Sequence, residues 1–529
     1  MKRILSLLFS VVVASCAFAQ QTATVAVFSL NDFHGGMVQD LRKDIPGAAW
    51  VVQTLDSLKA VYPNHVTLSA GDNFGGSFFY TATRQESLLP QMFRDMDIRL
   101  SVPGNHAFDE GQELWADAWQ STTFCPRDWS LQYVCANMRR DGRIPDECKP
   151  WVVIPVDIEG TDTKVNVAIT GLLTSNTPNQ ASARRLKGLT FDGNYGAVLD
   201  SLKRLPGYEE VEKANVRILA THISTYMKDG VPAYDDPNAA DLYAFDRDDI
   251  DGILTAHSHA LVCGTIPSAR SYPVVQGFWH GMYIGVLLCE VDLASGRCLK
   301  VTPKVVRVNP KAELGPKAAR LQAQVEEQYR TTTFRGLPLS AVLTEAKADI
   351  PHDRTMKHVV SLMGTLVCRS YAEAYRESAP EAAGDVVIGI SHFGSMRGGF
   401  YKGAVTVLDV GEALPFANPL KAYSYTGRQL REIMEFGING CKLGRIQTSG
   451  LDVTLDKKGH VKRMTSLAAD GTAVEIKDTT RLILVTDDYI TTGGDGYNPA
   501  FFPADALLPA ELPTSTDAFI HFLKSQSSI

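Results

Sequence analysis

Short apolar runs separated by polar punctuation dominate the first half of the chain. Runs at 25–30, 66–68, 100–102, 165–172, 216–220 and 253–254 have the length and β-branched content of buried strands. Helical periodicity at 48–60 and 86–96 falls between several of them. Strands alternating with helices predict a layered α/β domain. Five of these runs lead into a polar motif: Asn31-Asp32-Phe33-His34-Gly35, Gly71-Asp72-Asn73, Gly104-Asn105-His106-Ala107-Phe108-Asp109, Thr221-His222-Ile223-Ser224 and Ala256-His257-Ser258-His259. Open α/β sheets bind ligands just beyond strand ends, so the five motifs are expected to meet in one site.

Further along, Asn309-Pro310 breaks the pattern and Gly315-Pro316 opens a polar helix through Tyr329. With 529 residues the chain is too long for one core. The expected division is a leader at 1–19, a first domain at 20–310, a connector helix at 311–335 and a second domain at 336–529. A surface helix of the first domain is the alternative reading of the connector. The second domain alternates strand-like and helix-like runs but repeats none of the five motifs, so the chain is not an internal duplication.

The leader adds a location. Met1-Lys2-Arg3, an apolar stretch at 4–13 and Ala17-Phe18-Ala19 have the form of a signal peptide cut after Ala19, which predicts export to the periplasm or cell surface. Val13-Ala14-Ser15-Cys16 has the shape of a lipoprotein processing site, and lipidation of Cys16 is the alternative and the sole membrane anchor in view. The net charge of -7 forms no basic stripe, which argues against binding a nucleic-acid duplex. Of nine cysteines none shows paired C-x-x-C spacing, so neither structural zinc nor an iron–sulfur cluster is expected. If disulfides form, the places to look are Cys125, Cys135 and Cys148, and the pair Cys289 and Cys298 flanking a turn.

The motif side chains define the chemistry. Asp32, His34, Asp72, Asn105, His222, His257 and His259 offer two carboxylates, one amide oxygen and four imidazoles. Without a thiolate in the set, the suitable cations are zinc, manganese and iron(II). Two adjacent divalent cations would exceed the two carboxylates in charge and attract phosphate. Such a pair can hold a water as hydroxide at neutral pH and clamp both ends of an in-line displacement. His106 and Asp109 share a loop with Asn105 but are not needed as ligands. A carboxylate three residues from an imidazole can fix its tautomer for donation to the transition state or the leaving oxygen. His65, His280, His352, His358 and His521 match no motif and read as ordinary polar or capping residues.

From about Thr24 into its C-terminal region the chain resembles the exported 5'-nucleotidase family, a two-domain branch of the calcineurin-like metallophosphoesterases. The resemblance implies an N-terminal layered αββα domain, followed by a smaller α/β domain that binds nucleotide and swings about the connector. It implies that Asp32, His34, Asp72 and His259 hold one metal, that Asp72, Asn105, His222 and His257 hold the other, and that His106 and Asp109 form a catalytic dyad. The stretch from Pro273-Val274-Val275-Gln276-Gly277 through Tyr283-Ile284-Gly285 is similar to the family's segment after its fifth motif. Ala107 stands where Glu is usual.

In the C-terminal half, Leu414-Pro415-Phe416-Ala417-Asn418 and Tyr489-Ile490-Thr491-Thr492-Gly493-Gly494-Asp495-Gly496-Tyr497 resemble the segments whose aromatics sandwich a base, with the Asp near the ribose hydroxyls. Read from the residues alone, Phe416 and Tyr489 could stack on a base for about 1–3 kcal/mol, or Phe416 could be core and the Gly-rich run a tight turn. Ser391-His392-Phe393-Gly394-Ser395-Met396-Arg397 occupies the place of a Gly-rich loop. There Arg397 matches a phosphate- or substrate-binding Arg, and His392 replaces the usual Asn. Met363-Gly364-Thr365-Leu366 resembles another family segment, but Val359-Val360-Ser361 lacks the Arg and Glu common before it, which removes one bidentate anion partner.

The resulting expectation is a metal-dependent phosphomonoesterase acting on nucleoside 5'-monophosphates, with nucleotide sugars and other nucleotide esters as the wider class. Two alternatives on the same architecture are a 2',3'-cyclic nucleotide phosphodiesterase and a sulfur-ester hydrolase. A third is a nucleotide-binding protein without turnover.

Overall fold

The computed structural model describes residues 21–529 apart from 76–77, 84–87, 110–130, 182–184, 235, 237, 240–246, 268–269, 383–384 and 468–471. The leader, Cys16 and Cys125 lie outside the described residues. Strand β1, Thr22–Leu30, runs parallel to β2, His65–Ser69, which runs parallel to β3, Leu100–Ser101. On its other edge β1 pairs antiparallel with Tyr283–Asp292, which pairs with Arg297–Arg307. A second sheet holds β4, Lys164–Leu173, β5, Val216–Lys228, and β6, Gly252–Ala256, in parallel array, continued in parallel by Tyr272–Gly277.

Alternation along these strands builds four layers. Val25 and Val27 of β1 with Val66 and Leu68 of β2 pack against Val165, Val167 and Ile169 of β4 and Val216 and Ile218 of β5, which forms the core between the sheets. The intervening Phe28 and Leu30 face away onto Ala48, Val51, Val52 and Leu55 of helix α1, Ala48–Val61. On the far side, Ala168, Leu172 and Leu219 pack on Tyr195, Val198, Leu199 and Leu202 of the helix Tyr195–Leu202. This is the αββα layering expected, and each sheet is apolar on both faces as a covered parallel sheet must be. Parallel pairing carries the C-terminal ends of β1, β2 and β3 to one edge of the first sheet and those of β4, β5 and β6 to one edge of the second.

One expectation needs correcting. The fourth motif does not follow its strand, because β5 continues to Lys228 and His222 lies within it. The register between β5 and β6 shifts between Ala220 and Ser224, so an irregularity turns His222 toward the site without ending the strand. The helix expected at 86–96 is described as Leu89–Asp95.

Helix Pro316–Thr331 lies along α1, where Lys317 Nζ meets Asp56 Oδ1 at 2.6 Å and Ala318, Leu321 and Val325 are buried. The C-terminal part contains a four-stranded sheet, ordered Leu420–Thr426, Arg481–Asp487, Val387–Ser391 and Gln447–Ser449, with helix Leu362–Ser378 packed on it. The two parts meet where Val407–Ala413 lies on Phe78–Thr83. A side chain at Gly411 would overlap the Phe78 ring, so the close approach requires glycine. Nearby Arg42 reaches across to Asp409 at 2.9 Å.

The seven described cysteines are free thiols, including Cys289 and Cys298, whose side chains neighbour each other across their hairpin. Among the described residues no helix is long and apolar enough to cross a membrane.

The interface holds one titratable group of note. Half-buried Glu412 accepts from the Phe79 N–H at 3.2 Å, and burial pushes its carboxyl up to about 7, with Lys43 opposing and Asp409 and Asp40 adding to the rise. A carboxyl raised on docking stabilises the docked form below its ordinary range near 4.5 and loses that contribution as pH climbs through about 7. Glu412→Gln keeps the acceptor and removes the charge. It is expected to leave the melting temperature unchanged near pH 4.5 and to raise it by about 2 °C near pH 8.5, measured by scanning calorimetry.

Candidate dimetal site

Five of the seven side chains proposed as ligands from sequence sit on backbone that L-residues rarely adopt. Asp32 and His34 have φ of 45°, Asp72 50°, His257 77° and His259 52°. Asp and His tolerate the left-handed region better than most residues, at a cost of order 1–3 kcal/mol each. The tight turns this produces directly after β1, β2 and β6 aim consecutive side chains back into one space. Gly104 is fixed by the same crowding, since a Cβ there would overlap Asp72 Oδ1.

The side chains assemble into two groups. Asp32, His34 and His259 form one and Asp72, His222 and His257 the other, with the potential ligand atoms of each group all within 4.8 Å of one another. His34 Nε2 lies 3.0 Å from His259 Nε2, and His259 Nε2 lies 3.6 Å from Asp32 Oδ1. Asp72 Oδ2 lies 3.0 Å from His222 Nε2 in its own group and 3.8 Å from His34 Nε2 in the other. Asp72 therefore faces both.

The unpaired atoms of the donor set decide whether it suits a pair of cations. Asp72 Oδ2, Asn105 Oδ1 and His222 Nε2 are buried without a hydrogen-bond partner, and the 3.0 Å approach of His222 to Asp72 lacks hydrogen-bond alignment. Three orphaned atoms that all carry lone pairs suit a shared cation. The outer nitrogens of the ligand rings are already committed: His34 Nδ1 donates to the Gly75 carbonyl at 2.8 Å and His222 Nδ1 to that of Ala70 at 2.9 Å. Such bonds fix the tautomer that presents Nε2 inward. The residues fit two divalent cations.

Charge in the site is finely opposed. Burial raises the Asp32 carboxyl to about 6, with Asp72 adding to the rise while His222 and the Asn31 amide oppose it. Burial would raise Asp72 as well, but His222, His106 and His34 hold it well below the carboxylate range. Burial alone would depress His222, and the two carboxylates reverse this to about 9. Burial takes His34 well below its ordinary value.

His106 and Asp109 pair as expected, with Nδ1 donating to Asp109 Oδ2 at 2.8 Å. The His106 N–H also donates to Asp72 Oδ1 at 3.0 Å, which ties the dyad loop to the ligand facing both groups. A cavity of about 2460 Å³ holds both, and Arg397, Phe416, Tyr489 and Asp495 line the same cavity from the C-terminal side. Phe416 stacks on His106 at 5.8 Å and 13°.

Several participants were not found from sequence. Asn31 donates to Asp32 Oδ2 at 2.8 Å, although its place in the first motif gave a signal. Gln180 Nε2 lies 2.9 Å from His257 Nε2, and nothing in its sequence neighbourhood marks it. His280, read as an ordinary polar residue, lines the cavity beside the site. Its N–H donates to the Asp32 carbonyl at 2.9 Å and its ring stacks on Trp279, which stacks on His259. His392, noted only as a departure, binds Asp495.

Comparison with known proteins agrees with this architecture. Residues 27–261 match the family described as calcineurin-like phosphoesterase, and residues 341–502 match the 5'-nucleotidase C-terminal domain. The chain belongs to the calcineurin-like phosphoesterases that carry a 5'-nucleotidase C-terminal domain. Endonuclease YhcR of Bacillus subtilis is 25% identical over 96% of the chain, which spans 40% of that relative's length. The fold matches a 5'-nucleotidase precursor from Thermus thermophilus with a TM-score of 0.72 at 21% identity, covering 96% of this chain and 97% of that one. It also matches the sulfate thiohydrolase SoxB of the same organism, with a TM-score of 0.68 at 15% identity, covering 96% and 94%.

For this phosphoesterase, Gly104→Ala should displace Asp72. Metal content per chain, read by mass spectrometry after equilibration with limiting manganese, is expected to fall at least about tenfold in affinity, while the C-terminal part keeps its secondary structure.

Proposed function

We propose that this chain hydrolyses nucleoside 5'-monophosphates to nucleoside and phosphate, with nucleotide sugars and other nucleotide esters as the wider class, outside the cytoplasm. The observation that carries the reading is the orphaned Asp72 Oδ2, turned to both ligand groups in a cavity that also contains the dyad, Arg397 and Phe416. In this reading Asp32, His34, Asp72 and His259 hold one cation, Asp72, Asn105, His222 and His257 hold the other, and zinc, manganese and iron(II) suit the donors. When bound, the pair supplies Lewis acidity and lowers the pKa of a coordinated water.

The chain's own groups do the rest. Asp109 accepts from His106 Nδ1, which orients the ring and fixes which nitrogen faces the site. The other nitrogen then donates to a phosphoryl oxygen or to the leaving oxygen. The Arg397 side chain, which makes no hydrogen bond or ion pair among the described residues, feels the carboxylates of Asp72, Asp109 and Asp32 and is placed to bind the phosphoryl group. Phe416 and Tyr489 offer aromatic faces to a base from the same wall.

Purified protein loaded with manganese or zinc is expected to release phosphate from AMP or UMP and to stop on chelation. Full activity without metal would overturn the mechanism. Preference for 2',3'-cyclic AMP over the monoester would move the substrate to the cyclic diesters, and nucleotide binding without turnover in metal-replete protein would reduce the chain to a binding module. His106→Ala is expected to lower kcat by about 10²–10⁴ with metal content retained.

A further inference from the structure

An imidazole ligand gives one nitrogen to a cation, and the partner of its other nitrogen decides which tautomer faces the site. In His34 and His222 the outer nitrogen is Nδ1, and it meets the backbone carbonyls of Gly75 and Ala70. His257 is different on both counts. There Nε2 is the nitrogen already engaged, and its neighbour is a side chain, the Gln180 amide at 2.9 Å.

That approach excludes Nε2 as a ligand. A zinc ion stands about 2.0–2.1 Å from an imidazole nitrogen along its lone pair, and the Gln180 amide, in hydrogen-bonding position at 2.9 Å, occupies that space. Nδ1 is therefore the nitrogen that serves the group of Asp72, His222 and His257, whose potential ligand atoms lie within 4.8 Å of one another. An imidazole that gives the Nδ1 lone pair to a cation carries its proton on Nε2. Nε2 is then a donor, and the group facing it must accept.

The Gln180 amide can meet that donor with either end, because its oxygen and nitrogen fill nearly the same space and only their partners distinguish them. With its nitrogen toward the ring, Oε1 is buried without a hydrogen-bond partner among the described residues. Turning the amide over gives the orphaned oxygen a donor and the ring N–H an acceptor at once. Local backbone holds the amide in reach. The Gln180 N–H donates to the Thr177 carbonyl at 2.9 Å after the turn Thr177–Asn179, and the Asn179 carbonyl lies 3.1 Å from the Tyr489 hydroxyl of the opposite wall.

We propose that Gln180 is a positioning residue for one of the two cations: its Oε1 accepts from the Nε2–H of His257 and so presents Nδ1 to the cation shared with Asp72, Asn105 and His222. The proposal rests on the dimetal reading of the site. It concerns one cation and leaves the group of Asp32, His34 and His259 unaltered.

Calorimetric titration of the full chain with manganese reads the two sites without requiring turnover. Gln180→Met keeps the length of the side chain and removes the amide, so affinity for one manganese is expected to fall about 10–100-fold while the other is unchanged. Gln180→Glu, which can only accept, should bind both at least as tightly as the unsubstituted chain. A crystal structure of the zinc-loaded chain, with zinc located by its anomalous scattering, should place one ion on Nδ1 of His257. Zinc on Nε2, weakening in Gln180→Glu equal to that in Gln180→Met, or loss of both cations from either variant overturns the proposal. If the unsubstituted chain binds two cations and Gln180→Met weakens neither, the dimetal reading and the proposed function stand and this inference alone falls. If the unsubstituted chain binds fewer than two, the dimetal reading falls and takes the inference with it.

Discussion

Two buried carboxylates govern the architecture of this molecule. Asp32 and Asp72 are almost wholly removed from water, and a carboxylate in that position must be matched by hydrogen bonds or positive charge. The Asn31 amide and the His257 N–H satisfy Asp32, while the His106 N–H takes one oxygen of Asp72. The other Asp72 oxygen faces imidazoles of both ligand groups with no hydrogen bond of its own. Left-handed turns and the bare backbone of Gly104 are what allow these groups to lie so close. Local strain of that kind persists only when a rigid surround over-determines it. Two sheets packed face to face, each covered by helices, provide the surround.

Much of this was readable because strand ends carry information twice. A run such as 25–30 marks a buried strand by its apolar character, and the polar residues that follow mark where the strand stops being buried. His222 escaped that rule because an irregular register within Val216–Lys228 turns a mid-strand residue into the site, and a bulge has no signature in hydropathy. Gln180 escaped it because its partner His257 is 77 positions away. The same limit hid the setting of His392. As a sequence feature it was only a departure from a family pattern, and its meaning depends on Asp495, 103 positions distant. The N-terminal ligands could be read because a parallel sheet turns order along the chain into proximity at one edge. The C-terminal residues come from an antiparallel-edged sheet and its loops, where order predicts much less.

The C-terminal part does more than roof the cavity. Phe416 stacks on His106, the ring that Asp109 orients and whose backbone binds Asp72. One unbroken series of contacts therefore runs from the aromatic platform through the dyad to the carboxylate that faces both ligand groups. Its position depends on how Val407–Ala413 seats on Phe78–Thr83, where Gly411 admits the Phe78 ring and Glu412 takes the Phe79 N–H.

Such an arrangement separates the tasks in space while coupling them through packing. Charge and metal-binding capacity belong to the strand ends of the N-terminal sheets, which are rigid and polar at that edge. In the proposed reading the C-terminal part adds Arg397 for the phosphoryl group and the faces of Phe416 and Tyr489 for the remainder of the substrate, all lining the same cavity. In that reading a substrate long enough to reach the aromatic faces is held at both ends, so binding energy from its far end can position the phosphoryl group. In the same reading a short phosphoester lacks that far end and gains none of this positioning. The docking surface between the lobes is consequently part of the site, although the groups that form it touch neither the proposed cations nor the phosphoryl group.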